Sequence, residues 1–303
     1  HTTAIMVIFM LWDSHAQGIK KLQLEDFDLK GAVKTCQVVT GYGQEIFDFD
    51  TQGRLIKSTT KFSAQDKDIT TYRYQGAHLV EKRTESYKGN VLDRSSSMAH
   101  FYKIDSTSNT LITEQIVSYD RAFIELQEYH FNSKDQLVKI VTSHENAVDE
   151  TAITYTGYRG ERTATFYHNG VITKSERKSR KKTRKGTRDV ILEKTYLDGD
   201  PNKAVEKQYN TSGLLLREEH FYFDPAENQF VSQSQHSYRY DSDKVLTKEV
   251  IARENTTSEK DYIFQFDDQE VSNWVKKIVT PDNDYTTRKI SYYETTSEAL
   301  DTD

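Results

Sequence analysis

The chain has 303 residues, with 41 basic and 47 acidic side chains and a formal net charge of −6. Hydrophobic residues make up 35% against 29% charged, and nineteen Tyr and fourteen Phe supply much of the apolar surface. A single cysteine excludes an internal disulfide framework, and so polar a composition argues against a deep multilayer core; a thin sheet with one wet face fits it better.

Residues Ala4 to Trp12 form an uncharged apolar run, followed by the small residues of Ser14-His15-Ala16. This is the pattern of the hydrophobic and cleavage regions of a secretory leader. Residues 1–16 are therefore expected to be a signal peptide truncated at its N-terminus, with the mature chain starting at Gln17. The run is too short to cross a bilayer as a helix, and no transmembrane segment is expected. The expected location is extracytoplasmic in a bacterium, periplasmic or secreted. Cys36 lies too far from the cleavage site to carry a lipid, and is expected to be a strand cysteine with no thiol chemistry.

From residue 49 a seven-residue phrase recurs: aromatic, Asp or Asn, two spacers, a turn residue, one spacer, Leu. Phe49-Asp50-Thr51-Gln52-Gly53-Arg54-Leu55 is the cleanest copy. Phe131 to Leu137, Tyr209 to Leu215 with Gly213, and Tyr240 to Leu246 keep the spacing. Tyr74 opens a shortened copy, and Phe266 opens a weaker one that runs into Trp274. Each phrase reads as the end of a strand, a tight turn and the start of the next strand. The Asp or Asn side chain bonds backbone amides further on, and Gly53 and Gly213 supply a positive φ. Aromatic-x-aromatic patterns such as Phe47-Asp48-Phe49 place the aromatics on one strand face. Phe49, Tyr74, Phe131, Tyr209, Tyr240 and Phe266 are thus expected on one face, largely buried. Asn169-Gly170 marks a further two-residue hairpin. Recurring units of this size cannot bury an apolar face alone and must stack. The expected fold is all-β: an elongated antiparallel meander of about twenty strands, some ten degenerate hairpins, in one domain over 17–303 and as a monomer. Whether the sheet stays open or closes is left undecided.

Between Lys174 and Arg188 nine basic residues stand against one acid, Glu176, a net +8 that leaves −14 for the remainder. The segment falls where another aromatic is due, so it is expected to interrupt the array as a solvated hairpin tip or loop outside the ladder. Arg177, Lys178, Arg180, Lys181, Lys182, Arg184, Lys185 and Arg188 form its candidate anion-binding set.

The phrase resembles the YD repeat of the Rhs-like and teneurin-like superfamily, Tyr-Asp-x-x-Gly-Arg-Leu; Phe49 to Leu55 departs from it only by Phe for Tyr. Leu29-Lys30-Gly31-Ala32-Val33-Lys34 resembles the opening of short exported bacterial members. Ser272-Asn273-Trp274, with Arg288-Lys289-Ile290-Ser291-Tyr292, resembles their closing unit. The resemblance implies a β-rich extracytoplasmic protein acting as a shell, an adhesive or a carbohydrate-contacting surface.

No Gly-x-Ser-x-Gly elbow, His-Glu-x-x-His, Cys-x-x-Cys, phosphate-binding glycine loop or EF-hand loop is present. Asp48, Asp50, Glu218 and Glu219 could supply a carboxylate pair for glycoside hydrolysis, but acids at turns and strand exteriors already have structural reasons. No catalytic residue, metal or cofactor is expected. The leading reading is a non-enzymatic binding or scaffold protein contacting envelope glycan or a protein partner, and not nucleic acid. A carrier or tether for anionic envelope lipid or polysaccharide through the basic segment is the runner-up, and an enzyme the third.

Overall fold

The computed structural model describes residues 21–184 and 186–294. The expected leader at 1–16 lies outside the described residues. A single 3₁₀ turn, Leu24–Phe27, precedes twenty strands. The first five are β1 Val33–Thr40, β2 Gly43–Phe49, β3 Leu55–Lys61, β4 Lys67–Gln75 and β5 His78–Lys88. Next come β6 Val91–Asp105, β7 Leu111–Ser118, β8 Phe123–Phe131, β9 Leu137–Ser143 and β10 Val148–Tyr158. They are followed by β11 Glu161–His168, β12 Val171–Thr183, β13 Gly186–Leu197, β14 Asp200–Tyr209 and β15 Leu215–Asp224. The last are β16 Gln229–Tyr240, β17 Leu246–Arg253, β18 Thr256–Phe266, β19 Trp274–Val279 and β20 Asp284–Tyr292.

Each strand pairs antiparallel with the next from β1 to β20. The last strand then returns to the first, with Cys36 opposite Ile290 and Val38 opposite Arg288. The sheet is therefore not an elongated meander; it closes into an up-and-down barrel with no free edge. Strands twist in one sense and the twist accumulates, so a long meander curls until its two edges meet, and closure removes two rows of unpaired amides and carbonyls.

The recurring phrase is one turn built four times. Oδ1 of Asp50 accepts from the amides of Gln52 and Arg54 at 2.9 Å. Asn132 holds Lys134 and Gln136, Asn210 holds Ser212 and Leu214, and Asp241 holds Asp243 and Val245 in the same way. The fifth phrase position has φ between 54° and 79° in all four: Gly53, Asp135, Gly213 and Lys244. Glycine adopts that conformation without cost and the other two adopt it against the usual preference. A β-bulge falls at the aromatic each time, between 48 and 49, 130 and 131, 208 and 209, and 239 and 240. These turns join even to odd strands, so they gather at one rim. Two-residue turns with positive φ at both residues, Gly89-Asn90, Asn169-Gly170 and Asp198-Gly199, sit at the other rim.

Most of the aromatic ladder holds, with one correction. Phe49 and Phe131 are buried. Tyr74, Tyr209 and Tyr240 are half-buried, and the hydroxyls of Tyr74 and Tyr240 donate to the Leu55 and Leu215 carbonyls at 2.9 and 2.8 Å. Tyr155 makes the same bond to Leu137. Phe266 is 44% exposed; in the last copy Phe264 meets the Trp274 ring instead, at 5.9 Å between centroids. The turn there is longer, Asp267 reaching Asn273, and it swings Phe266 out.

The main core is not spread along the ladder. Leu24, Phe27 and Leu29 pack on Val33, Cys36, Val38, Phe47, Phe49 and Leu55, so the segment before β1 clamps the seam where the barrel closes. Asn273 fixes it by accepting from the Lys30 amide and donating to the Lys30 carbonyl. Arg288, 7% exposed, donates to the carbonyls of Phe27 and Asp28. Burial pushes the Cys36 thiol up to about 11, which suits the inert packing role expected of it.

Candidate functional site

Residues opposite one another in a ladder share a face, so the register sorts the whole wall. On β4 the set Asp68, Thr70, Tyr72, Tyr74 is half-buried, whereas Thr71, Arg73 and Gln75 are exposed. On β18 Lys260, Tyr262 and Phe264 are half-buried, and Glu259, Asp261, Ile263 and Gln265 are exposed. The less exposed set is the inner wall, where side chains converge. Rings of sixteen or more strands are too wide for side chains to fill. A twenty-strand ring is therefore wider than its inward side chains can fill.

The inner wall carries a polar constellation twice. On β7, Glu114 accepts from His100 of β6 at 2.7 Å, from Tyr102 at 3.0 Å and from Tyr129 of β8 at 2.9 Å. On β17, Glu249 meets His236 of β16 at 2.7 Å and accepts from Tyr262 of β18 at 2.9 Å. Both are His, Glu and Tyr on three successive strands, centred on strands ten apart in a ring of twenty. They face each other across the barrel in strand count. Burial works against the charge of Glu114, but hydrogen bonds from His100, Tyr129 and Tyr102 outweigh it and hold the carboxyl below its ordinary value. Burial, then the Glu114 charge, pushes the Tyr102 and Tyr129 hydroxyls well above theirs. Burial does the same to Tyr238 and Tyr262, reinforced by neighbouring glutamates. A neutral hydroxyl beside a carboxylate is a donor and acceptor array suited to polyhydroxylated ligands. Beside the second constellation, His220 bonds Glu218 at 2.7 Å and its ring lies 5.6 Å from that of His236.

These residues were not singled out in the sequence, because His100, Glu114 and Tyr129 are ordinary strand residues until the ladder brings them together. The carboxylates that were considered do not assemble. Asp48 points outward and accepts from Thr35, Asp50 is spent in its turn, and Glu218 and Glu219 face opposite sides of β15. Among the described residues, no group of three or more His, Cys, Asp or Glu could hold a metal.

The basic segment is strand as far as its tip: β12 and β13 pair rung by rung from Lys174–Thr195 to Thr183–Gly186. Alternating basic residues need no apolar packing to form a ladder when acids stand on neighbouring strands. Lys174 meets Glu193 at 2.6 Å, Arg177 meets Glu161 at 3.4 Å, Lys178 meets Glu176 at 3.3 Å and Arg180 meets Asp189 at 2.7 Å. Lys181 reaches Glu206 at 3.5 Å, and Arg188 donates to Gln208 at 2.7 Å. Lys182 and Arg184 are exposed at the tip, and Lys185 lies outside the described residues.

The outer wall carries charge as well. Arg83, Arg177 and Asp261 are each the middle residue of their strand and point outward. Arg73 and Arg83 share Glu81, Arg217 meets Glu219 at 2.6 Å, and Lys248 meets Glu259 and Asp261.

These walls define a closed, antiparallel, up-and-down β-barrel with polar clusters on its inner wall and charged residues on its outer one. No family model matches the chain, and no curated protein matches it. The resemblance to the YD-repeat superfamily is thereby corrected: no model of that family matches, and the chain is a closed barrel whose phrase is a turn motif. In fold the chain is similar to a porin-like protein from Bacteroides uniformis, at 7% identity and a TM-score of 0.35, over 86% of this chain and 96% of that one. It is also similar to a porin-like protein from Bacteroides vulgatus, at 9% identity and a TM-score of 0.25, over 87% and 99%. Likeness at this level carries no functional argument, which rests on the walls themselves. No described helix is long and apolar enough to cross a membrane, which says nothing of strands.

Proposed function

We propose that the chain is an extracytoplasmic barrel that stands in water and acts by binding, holding a neutral or cationic envelope glycan against its inner wall. The observation that supports this is the charge at the middle of the outer wall. A membrane-spanning barrel needs an outward apolar band about 25 Å tall, and a Lys or Arg at its midplane costs about 2–4 kcal/mol. Arg83 stands at that height on β5, and Asp261 is mid-strand on β18. The tyrosines and carboxylates inside give stacking faces and hydrogen-bonding edges of the kind sugars take. Binding rather than turnover fits carboxylates already spent on His and Tyr partners.

Closure with an even number of strands is also the architecture of outer-membrane channels, and this gives the second reading. One preparation separates the two. The protein, purified without detergent, is expected to sediment as a single discrete species and to bind envelope oligosaccharides by calorimetry, with Glu114→Gln plus Glu249→Gln weakening binding at least tenfold. Aggregation without detergent, together with discrete conductance steps in planar bilayers, would overturn the proposal in favour of the channel.

A further inference from the structure

The β12–β13 hairpin is longer than its neighbours. The last residue of β12 that pairs with β11 is Lys178, opposite Arg162. The first residue of β13 that pairs with β14 is Asp189, opposite Tyr209. In the backbone ladder residues 179–183 and 186–188 therefore pair with neither β11 nor β14, and they stand out from the rim as a two-stranded ribbon, about 15 Å long at ~3.4 Å per residue. The ribbon reads Ser-Arg-Lys-Lys-Thr-Arg-Lys-Gly-Thr-Arg, with no acidic and no apolar side chain. Acids reach only its root, where Asp189 meets Arg180 and Glu206 meets Lys181. Arg180 is 71% exposed even so. The cations alternate faces, Arg180 and Lys182 to one side and Lys181 and Arg188 to the other, with Arg184 in the turn.

We infer that this ribbon docks one rim of the barrel onto a bilayer surface rich in anionic lipid head groups. The inference does not rest on the reading of the lumen. Charge on both faces, with no groove and no aromatic side chain, cannot read a shaped ligand, and a stacking platform for sugars or bases is missing from it. A flat field of negative charge asks for nothing more than reach and cations. The rest of the protein is strongly acidic: the segment from Lys174 to Arg188 carries +8 in a chain of −6. The remainder is repelled by the same surface, so the barrel approaches ribbon first.

The test is co-flotation of the full chain with phosphatidylcholine vesicles, with and without about one-third phosphatidylglycerol. Wild type is expected to float with the anionic vesicles only, and to dissociate as salt rises and the Debye length shrinks to about 8 Å at 0.15 M. Arg180→Ser/Lys182→Ser/Arg184→Ser is expected to lose about a hundredfold in apparent affinity, from roughly a fivefold effect for each cation removed. Lys57→Ser/Arg94→Ser/Lys289→Ser removes as much exposed charge from other strands and is expected to bind as wild type does. Matched thermal midpoints would establish that both variants fold; if the ribbon variant does not, single substitutions at Lys182 and Arg184 replace it, each expected to cost several-fold. Equal losses in ribbon and control variants, binding to neutral vesicles, or retention on a soluble acidic polysaccharide without vesicle binding would each overturn the inference.

Discussion

The guanidinium of Arg288 lies over the ring of Trp274, 3.4 Å from its centroid, on the strand next to it. Trp274 donates its indole N–H to Asp28 at 2.7 Å, and Arg288 donates to the carbonyls of Phe27 and Asp28. The pair thus ties β19 and β20 to the segment before β1 and locks the seam of the barrel. Burial, the largest influence on it, pulls the Arg288 guanidinium below its ordinary value, so the stacked ring and the two carbonyls must offset a real desolvation cost.

Arg288→Ala is expected to cost about 3–5 kcal/mol, because partners of a buried charge are left unpaired and a cation–π contact is lost. Urea denaturation followed by Trp fluorescence checks this. A midpoint within error of wild type would show that the seam is held by ladder bonds alone.

Phe131 is 3% exposed and packs with Ile112, Leu137 and Ile153. Phe131→Ala should therefore cost about 3–5 kcal/mol. Tyr240→Phe keeps the ring and deletes only the bond to the Leu215 carbonyl, so about 1 kcal/mol is expected. Similar losses for the two would mean that the hydroxyl, not the ring, anchors the ladder.

Asn210→Ala removes the acceptor for two turn amides in an exposed turn. A loss of about 1–2 kcal/mol is expected, with little change in the spectrum of the folded protein. Asn210→Asp keeps the acceptor, as Asp50 and Asp241 do in their copies, and should lie within about 0.5 kcal/mol of wild type. Equal losses in both variants would deny the turn its acceptor.

The Glu114 carboxyl is depressed in the folded protein, so it contributes stability that is present above the ordinary carboxylate value of 4.5 and is lost as pH falls below it. Glu114→Gln should flatten that part of the stability profile between pH 6 and pH 3. An unchanged slope would place the acid sensitivity elsewhere.

Tyr102, Tyr129, Tyr238 and Tyr262 are raised in the folded state, mainly by burial. Above the ordinary value of 10.0 the unfolded chain releases protons that the folded one retains, so stability falls with rising pH. The barrel should lose stability steeply beyond pH 10, and the ultraviolet titration of these phenols should coincide with unfolding. Ionisation of all tyrosines near pH 10 with the fold intact would contradict the polar inner wall.

Strand and turn were legible because they are local. Asp50, Asn132, Asn210 and Asp241 announce the same turn wherever they occur, and the aromatic before each faces inward by simple alternation. The ion pairs of the basic stretch were not legible, because its acids, Glu161, Asp189, Glu193 and Glu206, lie far off in sequence and become neighbours only across ladders. Phe266 was misplaced because a turn longer by two residues carries the ring to the wet side.

What the chain alone determined is its alternation of strand and turn, the count of about twenty strands, and the aromatic face, all set by side-chain period and turn chemistry within a few residues. What only the tertiary structure decided is closure and everything that follows from it. Val38 meets Arg288 through twist accumulated over the whole sheet, a quantity no short window contains. Closure makes one face a lumen, and it brings the constellations of Glu114 and Glu249, ten strands apart, onto opposite walls.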